Sequence, residues 1–511
     1  MTELPDVQDP AQRADAVARA QARSAHPDVL GHLAAANRSD AQQRSLDALA
    51  SGVAVVTGQQ TGLFGGPLYT LHKAVAAIAN ARALEAQTGV PCAPVFWVQD
   101  EDHDVDEIRS ATLLASDGSL LRASVEADPS RAGCRVADQV LGPSIEAALD
   151  VLTDALGGLP HAGEVEAMHR DSHHADATFP QAFTAVLQQL FADHGLLFLD
   201  AAAPELQPAA ASVHARAIDQ ASPIADALLA RADVLSSRGD RVPVHIRPGS
   251  PLSFVHPDRI DGPRFRAHRG QSGRGRGAPW SLVGTDRTLT DAELRSAPHS
   301  TSALLRPILQ DSWLPTAAYV GGPGELAYLA QLPPLWPLFD LPVPLIAHRA
   351  HFRLIDGPAA KLLGQLGLDA SAACATRDEV LVALGSAAEG HTDPKAVADA
   401  VRRGLDELVA FADEADTMDP NLGKSVRKTI ASLEHKAQQL SDRYRRTLAR
   451  EDHVTSDRLD RLRAQLCPDD APQERVLAWP TFGARIGPAP LVQRLLDAAR
   501  PFDPILVDVM L

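Results

Sequence analysis

The amino-acid sequence predicts an α/β protein with a parallel β-sheet core and a long helical hairpin near the C-terminus. Between residues 53 and 86, a short β-branched run, a glycine-rich loop and an alanine-rich helical stretch follow one another, and a second apolar strand begins at residue 93. A strand, a helix and a strand in so short a span predict a right-handed βαβ unit with parallel strands. Charged stretches with helical periodicity at 396–417 and 422–467 predict the hairpin.

The composition supports a large core and disfavours nucleic acid as a partner. The 511 residues are 45% hydrophobic, and at roughly 150 residues per domain they predict several structural units. Acidic residues outnumber basic ones by 65 to 48, a formal net charge of −17. Phosphate binding needs a basic surface, and the aromatic content of 4% is low for stacking on single strands.

The sequence shows no membrane span and no secretory signal, because it has no apolar run of about 18 residues and begins with a polar, charged stretch. The four cysteines, Cys92, Cys134, Cys374 and Cys467, lie far apart without a CxxC pair. This spacing supports neither a disulfide framework nor a cysteine zinc site. We therefore expect a soluble cytoplasmic protein without a membrane partner or a bound metal.

The predicted core spans residues 1–375 and carries two insertions near 109–165 and 209–300, where short alternating segments replace simple crossovers. Within the second insertion, 262–279 is rich in Gly and Arg, which predicts an exposed mobile loop or, alternatively, a phosphate-binding arm. Further buried strands of the sheet are predicted at 195–200, 317–320 and 343–346.

The helical hairpin is predicted at 376–470, and 471–511 is expected to return to the core. In its second helical stretch, apolar residues step by three and four, the a/d pattern of a coiled coil. This pattern predicts either a homodimer contact or a helix pair folded onto its own core. The residues are Ile430, Leu433, Ala437, Leu440, Tyr444 and Leu448.

The glycine-rich loop at 58–67 is the first candidate binding site. Glycines let a backbone approach a ligand closely, and a helix N-terminus suits a phosphate or a carboxylate. The loop is neither a Walker A motif nor a GxGxxG fingerprint, and a structural tight turn is the alternative. The candidate residues of this segment are Gly58, Gln59, Gln60, Thr61, Gly62, Gly65, Gly66 and Tyr69.

Lys73 is a candidate catalytic residue because it is the only lysine in the first 360 positions, in a chain that otherwise uses arginine there. A lysine amine is a compact point charge whose pKa responds to its surroundings, unlike a guanidinium. A solvated helix residue is the alternative.

Acidic residues and a histidine follow the second strand, at the sheet edge where open α/β sheets bind ligands. Crowded carboxylates need a cation or an ammonium group nearby. We expect Asp102 to hold a substrate ammonium and His103 to act as a general base, with Glu101 and Asp104 in the same binding site. A cap on the next helix is the alternative, and a metal is disfavoured because no second His or Cys lies at ligand spacing.

A third group of candidate residues lies between 306 and 328, where another strand ends in a glycine cluster that opens a helix. A second turn of this kind on one sheet suggests that the two turns bind the two halves of a ligand where they meet at the switch point. The alternative is a structural glycine turn capped by a glutamate. No GxSxG elbow or Cys/His nucleophile pattern is present. The candidates are Gln310, Asp311, Tyr319, Gly321, Gly322, Gly324 and Glu325.

Taken together, the segments VVTGQQTGLFGGPLYTLHKA (55–74), PVFWVQDEDHDVDEI (94–108) and RPILQDSWLPTAAYVGGPGELAYLAQL (306–332) resemble the bacillithiol-biosynthesis cysteine-adding enzymes, the cysteine ligases called BshC. The similarity includes 191–201 and the helical hairpin, and so covers nearly the whole chain. It implies a Rossmann-like core related to class I nucleotidyl-transferring enzymes, with two connecting-peptide insertions and a dimerising coiled coil.

The resemblance also implies the reaction, which joins the carboxylate of cysteine to the amine of glucosaminyl-malate. Such a carboxylate needs activation, so ATP or another activating nucleotide is expected. His72 lies where related enzymes carry their HIGH box, which makes it a catalytic candidate, and no clear KMSKS-type loop is present.

Arg349 matches the family's Pro-Arg-x-Ser/Thr segment, whereas His348 and His351 replace its Pro and its Ser/Thr. Residues 209–300 match only loosely. Two alternative functions stay open: a nucleotidyltransferase that acts on another acid, and an inert dimeric scaffold that binds a nucleotide or a sugar.

Overall fold

The computed structural model describes residues 3–36, 38–269, 279–385 and 392–511, which form two compact units. The first unit comprises Met1–Leu354, Glu474–Val509 and Leu511, and the second comprises Ile355–Gln473 and Met510. Residues 355–375 thus group with the helical unit rather than with the core. The reason is apolar packing of Ile355 and the helices that follow it against Leu462 and Leu466.

The core of the first unit is a five-stranded sheet in which all neighbouring strands are parallel. The strands are β1 (Val53–Gln60), β2 (Cys92–Gln99), β3 (Leu197–Asp200), β4 (Thr316–Gly321) and β5 (Leu345–His348). Their spatial order is β5-β4-β1-β2-β3, so β2 and β3 lie on one side of β1 and the later strands β4 and β5 lie on the other. This reversal makes the carboxyl end of β1 a topological switch point. The α/β fold class and the parallel sheet predicted from the sequence are confirmed.

The strands of this sheet are apolar along their length because helices cover both faces. Every residue from Cys92 to Val98 in β2 is buried, and the rings of Trp97 and Trp313 lie 5.5 Å apart in the core. The α-helices lying wholly within this unit are Pro10–Gln21, Pro27–Ala35, Asp40–Ser51, Tyr69–Thr88, Ile145–Leu156, Ala162–Ser172, Phe179–Phe191, Gln207–Asp219, Ala221–Ser237, Asp291–Ser296, Arg306–Trp313, Pro323–Leu329, Leu335–Leu338, Pro480–Ile486 and Pro488–Ala498.

Two insertions extend the sheet domain. The first contains an antiparallel hairpin of Ser110–Leu114 and Leu120–Ser124. The second contains a five-stranded antiparallel sheet, here called the insertion sheet. Its strands, in spatial order, are His299–Thr301, Ser253–Val255, Phe265–His268, Trp280–Leu282 and Thr288–Leu289.

The expectation of a mobile loop over 262–279 is wrong where the structure describes it. Phe265–His268 is a paired strand of the insertion sheet, because Ala267 is fully buried in a small apolar core and Phe265 packs against it. Residues 270–278 lie outside the described residues.

The second unit is helical, and its two longest helices are joined at Asp419, whose carboxylate accepts a hydrogen bond from the backbone N–H of Asn421 (2.9 Å). The predicted single stretch 422–467 is wrong, because Asp452 ends one helix and its side chain caps the next at Thr455 (3.1 Å). The helices are Gly357–Leu366, Ala370–Ala373, Arg377–Leu384, Pro394–Met418, Pro420–Glu451 and His453–Leu466.

The a/d pattern is only partly buried within the chain. Ile430 and Leu448 are buried, whereas Leu433 is 37% exposed and Leu440 is 56% exposed. The ends of the apolar stripe therefore pack inside the helical unit while its middle faces outward. Within the described ranges, no helix is both long enough and apolar enough to span a bilayer.

The segment 474–509 contributes to the first unit. There Asp508 accepts two hydrogen bonds from the guanidinium of Arg353, at 2.7 and 2.9 Å. The last strands of the chain, His351–Ile355 and Leu506–Met510, pair as a two-stranded sheet.

Candidate active site

Polar side chains collect at the carboxyl edge of the central sheet, where ligands bind in open α/β folds. They belong to three charged groups that differ in burial and are described in turn below. The residues at or just beyond the strand ends are Gln59 and Gln60 at the end of β1, Glu101, Asp102 and His103 after β2, Gly322 and Glu325 after β4, and Arg349 after β5.

Lys73 is buried on the helix after the glycine loop, with its side chain 3% exposed. Its ammonium group donates to the carbonyl of Gly58 and to Oε1 of Gln59, both at 2.8 Å, and it pairs with Glu325. Burial lowers the pKa of Lys73, while the Glu325 carboxylate acts in the opposite direction. The solvated-residue alternative for Lys73 is therefore wrong.

Glu325 connects Lys73 to β4 and to the helix Pro323–Leu329 that follows it. It accepts hydrogen bonds from the Tyr319 hydroxyl (2.8 Å) and from the Gly322 backbone N–H (3.0 Å). Burial by itself would raise the pKa of Glu325, but the Lys73 ammonium and the Gly322 N–H hold it below its usual value. Nearby, Arg306 donates to the hydroxyl of Tyr328 (2.5 Å). The group called the Lys73 network comprises Lys73, Glu325, Tyr319, Gly322, Arg306 and Tyr328.

A second group, the Glu474 network, comprises His72, Arg349, His351 and Glu474. The Arg349 guanidinium holds the Glu474 carboxylate with two hydrogen bonds of 2.5 and 2.6 Å. The ring nitrogens Nδ1 of His72 and of His351 lie 2.8 and 3.1 Å from the same carboxylate. Burial opposes ionisation of Glu474, but these partners keep its pKa far below the usual range.

His72 is fully buried, and its ring meets Phe352 edge-on at 5.0 Å. Burial lowers its pKa, which favours the neutral imidazole. Arg349 also lies 5.6 Å from the ring of Tyr69, and the Tyr69 hydroxyl accepts a hydrogen bond from Gln59 (3.3 Å). The Glu474 network and the Lys73 network therefore share one end of the glycine-loop helix.

The third group, the Asp102 cluster, comprises Asp102, His103 and Arg264. Arg264 immediately precedes the insertion-sheet strand Phe265–His268. Its guanidinium pairs with Asp102 and contacts Nδ1 of His103 (2.9 Å). The Asp102 carboxylate also lies 3.1 Å from that Nδ1 and accepts the His103 backbone N–H (2.7 Å). Burial would raise the pKa of Asp102, but His103 and Arg264 lower it further than burial raises it.

The acidic segment splits by exposure. Asp100 and Glu101 are buried, and burial raises the pKa of both carboxyls, with Asp200 adding to the effect at Asp100. Glu101 accepts hydrogen bonds from the Thr301 backbone and hydroxyl, which attaches β2 to the insertion sheet. Asp102 and His103 keep 40% and 48% of their side chains exposed. The segment is thus not merely a helix cap.

A cavity of about 490 Å³ lies between the end of β2 and the second insertion. A smaller cavity adjoins it, shares Asp102 and Arg264 with it, and reaches Arg306 and Gln60. Gln60 donates to Glu107 (2.7 Å) and to Asp102 (3.3 Å). The charged residues that line the larger cavity are Asp102, His103, Asp104, Glu107, His245, Arg247, Arg264 and Arg266.

Gly65 and Gly66 of the glycine loop are buried rather than open to a ligand. Both have positive φ, 86° and 73°, where side chains are strained. A Cβ on Gly65 would lie 3.1 Å from Nε1 of Trp479, which donates to the carbonyl of Phe64 (3.0 Å). Thr61 is buried, and a Cβ on Gly58 or Gly62 would meet backbone atoms within 3 Å. The tight-turn alternative accounts for these glycines.

Gln310 and Asp311 are not part of the cleft. Both are buried on the helix Arg306–Trp313, where Asp311 accepts hydrogen bonds from Nε1 of Trp336 (2.6 Å) and from Gln310 (3.0 Å). Burial raises the pKa of Asp311 to about 6. Gly321 is buried against Glu325 and Tyr319, and Gly322 lies beside Arg349, whereas Gly324 is exposed.

Arg264, Arg306 and Glu474 were not singled out by the sequence. Arg264 lies in an Arg-rich stretch where no spacing distinguishes one guanidinium from another, and Glu474 stands alone, far from the other motifs. Arg306 was detectable, because it opens the third motif next to the buried helix.

The fold and the site together define the class of this protein. It is a Rossmann-like α/β protein with a charged cleft at the carboxyl edge of its sheet and a separate coiled-coil unit. Two family models match the chain: Bacillithiol biosynthesis BshC, N-terminal Rossmann-like domain, over residues 5–350, and Bacillithiol biosynthesis BshC, C-terminal coiled-coil domain, over residues 352–505. The chain belongs to the bacillithiol biosynthesis BshC family, as the sequence motifs predicted.

Relatives that carry the name "Putative cysteine ligase BshC" agree with this. The protein from Solibacter usitatus is 34% identical over 62% of this chain and 58% of its own length. The protein from Chlorobaculum tepidum is 32% identical over 64% and 58%. The protein from Geobacillus thermodenitrificans is 30% identical over 84% and 79%. The matched part of the chain thus spans less than two thirds of the length of the first two relatives.

Proposed function

We propose that the protein is a ligase that adds cysteine to glucosaminyl-malate by forming an amide, the last step of bacillithiol biosynthesis. Membership of the BshC family and the names of its relatives support this function. The structural observation that carries it is the charge pattern of the 490 Å³ cavity at the end of β2.

The cavity presents acidic and basic groups together. Asp104 and Glu107 are exposed acidic residues, while Arg247, Arg264 and Arg266 supply guanidinium groups. Glucosaminyl-malate carries an amine and two carboxylates, so it needs acidic and basic partners in one pocket. This complementarity supports binding of an amine that also bears carboxylates.

The Asp102 cluster supports a route for the proton of the attacking amine. A free amine is an ammonium and must lose a proton before it attacks a carbonyl. The route requires the tautomer in which Nδ1–H of His103 is donated to Asp102 and Nε2 keeps the lone pair that accepts this proton, so Arg264, whose guanidinium also lies 2.9 Å from Nδ1, must then donate to Asp102 alone. The Asp102 carboxylate is engaged by Arg264, so we assign it the orientation of His103 rather than the binding of the ammonium.

We extend the proposal to ATP or a related activating nucleotide, which would turn the cysteine carboxylate into a reactive acyl phosphate or adenylate. Guanidinium groups match phosphate geometry, and Arg306 lines the smaller cavity. Lys73 is already engaged by Gly58, Gln59 and Glu325.

We also propose a cytoplasmic homodimer joined through the exposed middle of the a/d stripe. Leu433 and Leu440 leave large apolar side chains exposed on the helix Pro420–Glu451. Phe411 and Val409 do the same on the helix Pro394–Met418. A second copy would cover such side chains, as the seam of a coiled coil does.

The test is reconstitution with cysteine, glucosaminyl-malate and ATP, followed by mass spectrometry for bacillithiol. We expect product only when all three are present. Pyrophosphate release without cysteine would favour a nucleotidyltransferase for another acid. Binding of glucosaminyl-malate without turnover, with every nucleoside triphosphate tried, would favour the inert scaffold and overturn the ligase.

A further inference from the structure

Two cysteines of the second unit meet at the ends of two helices. Cys374 follows the helix Ala370–Ala373, and Cys467 follows His453–Leu466. Their thiols are hydrogen-bonded to each other, and Sγ of Cys467 also lies 3.7 Å from the carbonyl oxygen of Ala373. Both residues are thiols in this structure. The fold has thus brought together two sulfurs that the sequence keeps far apart.

A guanidinium group is held beside Cys374. Arg463 donates to the carbonyl oxygens of Ala373 (2.7 Å) and Ala375 (2.6 Å), the residues on either side of this cysteine. The other end of the guanidinium pairs with Asp470. A cation near a cysteine favours the thiolate, which is the nucleophilic form.

The two thiols differ in their access to solvent. Cys374 is half-buried, whereas Cys467 is buried. The hydrogen bond with Cys374, together with burial, raises the pKa of Cys467 well above its usual range. Cys374 is therefore the thiol that meets a reagent first.

We propose that Cys374 and Cys467 are a redox-active pair that exchanges with a low-molecular-weight disulfide, RSSR, to form a reversible intramolecular disulfide. The Cys374 thiolate attacks one sulfur of RSSR, which gives a mixed disulfide and releases RS⁻. The Cys467 thiolate then attacks the sulfur of Cys374, releases the second RS⁻ and closes the bond. The protein thiols lose two protons and two electrons, and RSSR becomes two thiols.

The contacts favour the second step once the first has occurred. Formation of the mixed disulfide removes the thiol of Cys374 as a hydrogen-bond partner, the main cause of the raised pKa of Cys467. The sulfurs are already neighbours and need only approach to about 2.05 Å. Cys92 and Cys134 are buried elsewhere, and burial raises the pKa of Cys92 to about 12, so both serve as internal controls.

The test incubates the full-length protein with hydroxyethyl disulfide, blocks remaining thiols by alkylation and maps the peptides by mass spectrometry. We expect the loss of two hydrogens, a cross-linked peptide pair containing Cys374 and Cys467, and full reversal by dithiothreitol. Cys92 and Cys134 should carry the alkyl group throughout. Four alkylated cysteines, or a bond that involves Cys92 or Cys134, would overturn the proposal.

Single variants test the order of the two steps. Cys467→Ser should stop at a stable mixed disulfide on Cys374, Cys374→Ser should stay unmodified, and Cys134→Ser should oxidise like the wild type. A mixed disulfide on Cys467 in Cys374→Ser would overturn the assignment. If a variant does not fold, as judged by circular dichroism, a wild-type time course decides, because the adduct on Cys374 must precede the disulfide. The proposal is independent of the ligase activity.

Discussion

The Glu474 network and the Asp102 cluster lie at the same edge of the sheet but differ in their contact with solvent. In the Glu474 network, Arg349 and Glu474 are buried and bound to each other by two hydrogen bonds. In the Asp102 cluster, Asp102 and His103 remain partly exposed and line a cavity. A buried charge is tolerated only when it is paired, whereas an exposed group can meet a substrate. We therefore expect the first group to stabilise the fold and the second to carry the chemistry.

Glu474→Ala is expected to have the largest effect, because it leaves the buried Arg349 guanidinium without its partner. Removing one member of a buried ion pair costs about 3–5 kcal/mol. The measurement is the free energy of unfolding from urea titration. The surface pair of Asp15 and Arg19 is the control, and Asp15→Ala should cost less than about 1 kcal/mol. Equal losses in the two variants would contradict the comparison.

His103→Ala should act in the opposite way and lower turnover by about 100-fold, with little change in stability, because it removes the proposed proton acceptor. Steady-state kinetics run beside a thermal melt separate the two effects. Asp102→Asn should lower turnover less, since His103 is still present. His435→Ala, an exposed histidine of the second unit, is the control. A wild-type rate per folded His103→Ala molecule would show that the cluster has no acid–base role.

Gly65→Val should destabilise the first unit, because valine must adopt the positive φ of this position and its Cβ would meet the Trp479 ring. The backbone strain alone is about 1–3 kcal/mol. Gly324→Val has no neighbouring atom within 4 Å of the new Cβ and is the control. A folded Gly65→Val with wild-type unfolding energy but no substrate binding would return the loop to the binding site.

Acid should weaken the first unit through three buried histidines near the insertion sheet. Burial lowers the pKa of His214 to about 3, and those of His256 and His299 to about 4. Unfolded histidines titrate near 6.5, so the unfolded state binds more protons below that pH, and stability falls from about pH 6.5 to 4. His214→Asn should reduce the slope of unfolding free energy by up to about 1.4 kcal/mol per pH unit. An unchanged slope would contradict this.

The smallest effect on chain stability is expected from Leu433→Asp combined with Leu440→Asp, because both side chains are exposed within one chain. The double variant should be a monomer by light scattering, with an unchanged melting curve when both proteins are compared as monomers. Ser432→Asp with Gln439→Asp adds the same charge beside the stripe and should leave the dimer intact. A persistent Leu variant dimer would place the contact elsewhere.

The parallel strands of the sheet and the edge at which ligands are expected followed from local patterns. The apolar run 53–56, which precedes a glycine loop, and the run 93–98, which precedes an acidic segment, indicate buried parallel strands without any knowledge of their partners. The motifs after β1, β2 and β4 therefore predicted the edge of the sheet where polar groups collect. The same patterns did not distinguish Gln310 and Asp311, which point into the core, from their neighbours in the cleft.

The α/β class, the five strands and the helical unit follow from the sequence alone, because periodicity is a property of short segments, and the family follows from the resemblance of three long motifs. Which charged groups meet is visible only in the folded chain. Arg264 reaches Asp102 across 162 residues, Glu474 reaches His72 across 402, and Cys467 reaches Cys374 from another helix end. Such pairs depend on how distant segments pack against each other, and no periodic pattern in the sequence indicates them.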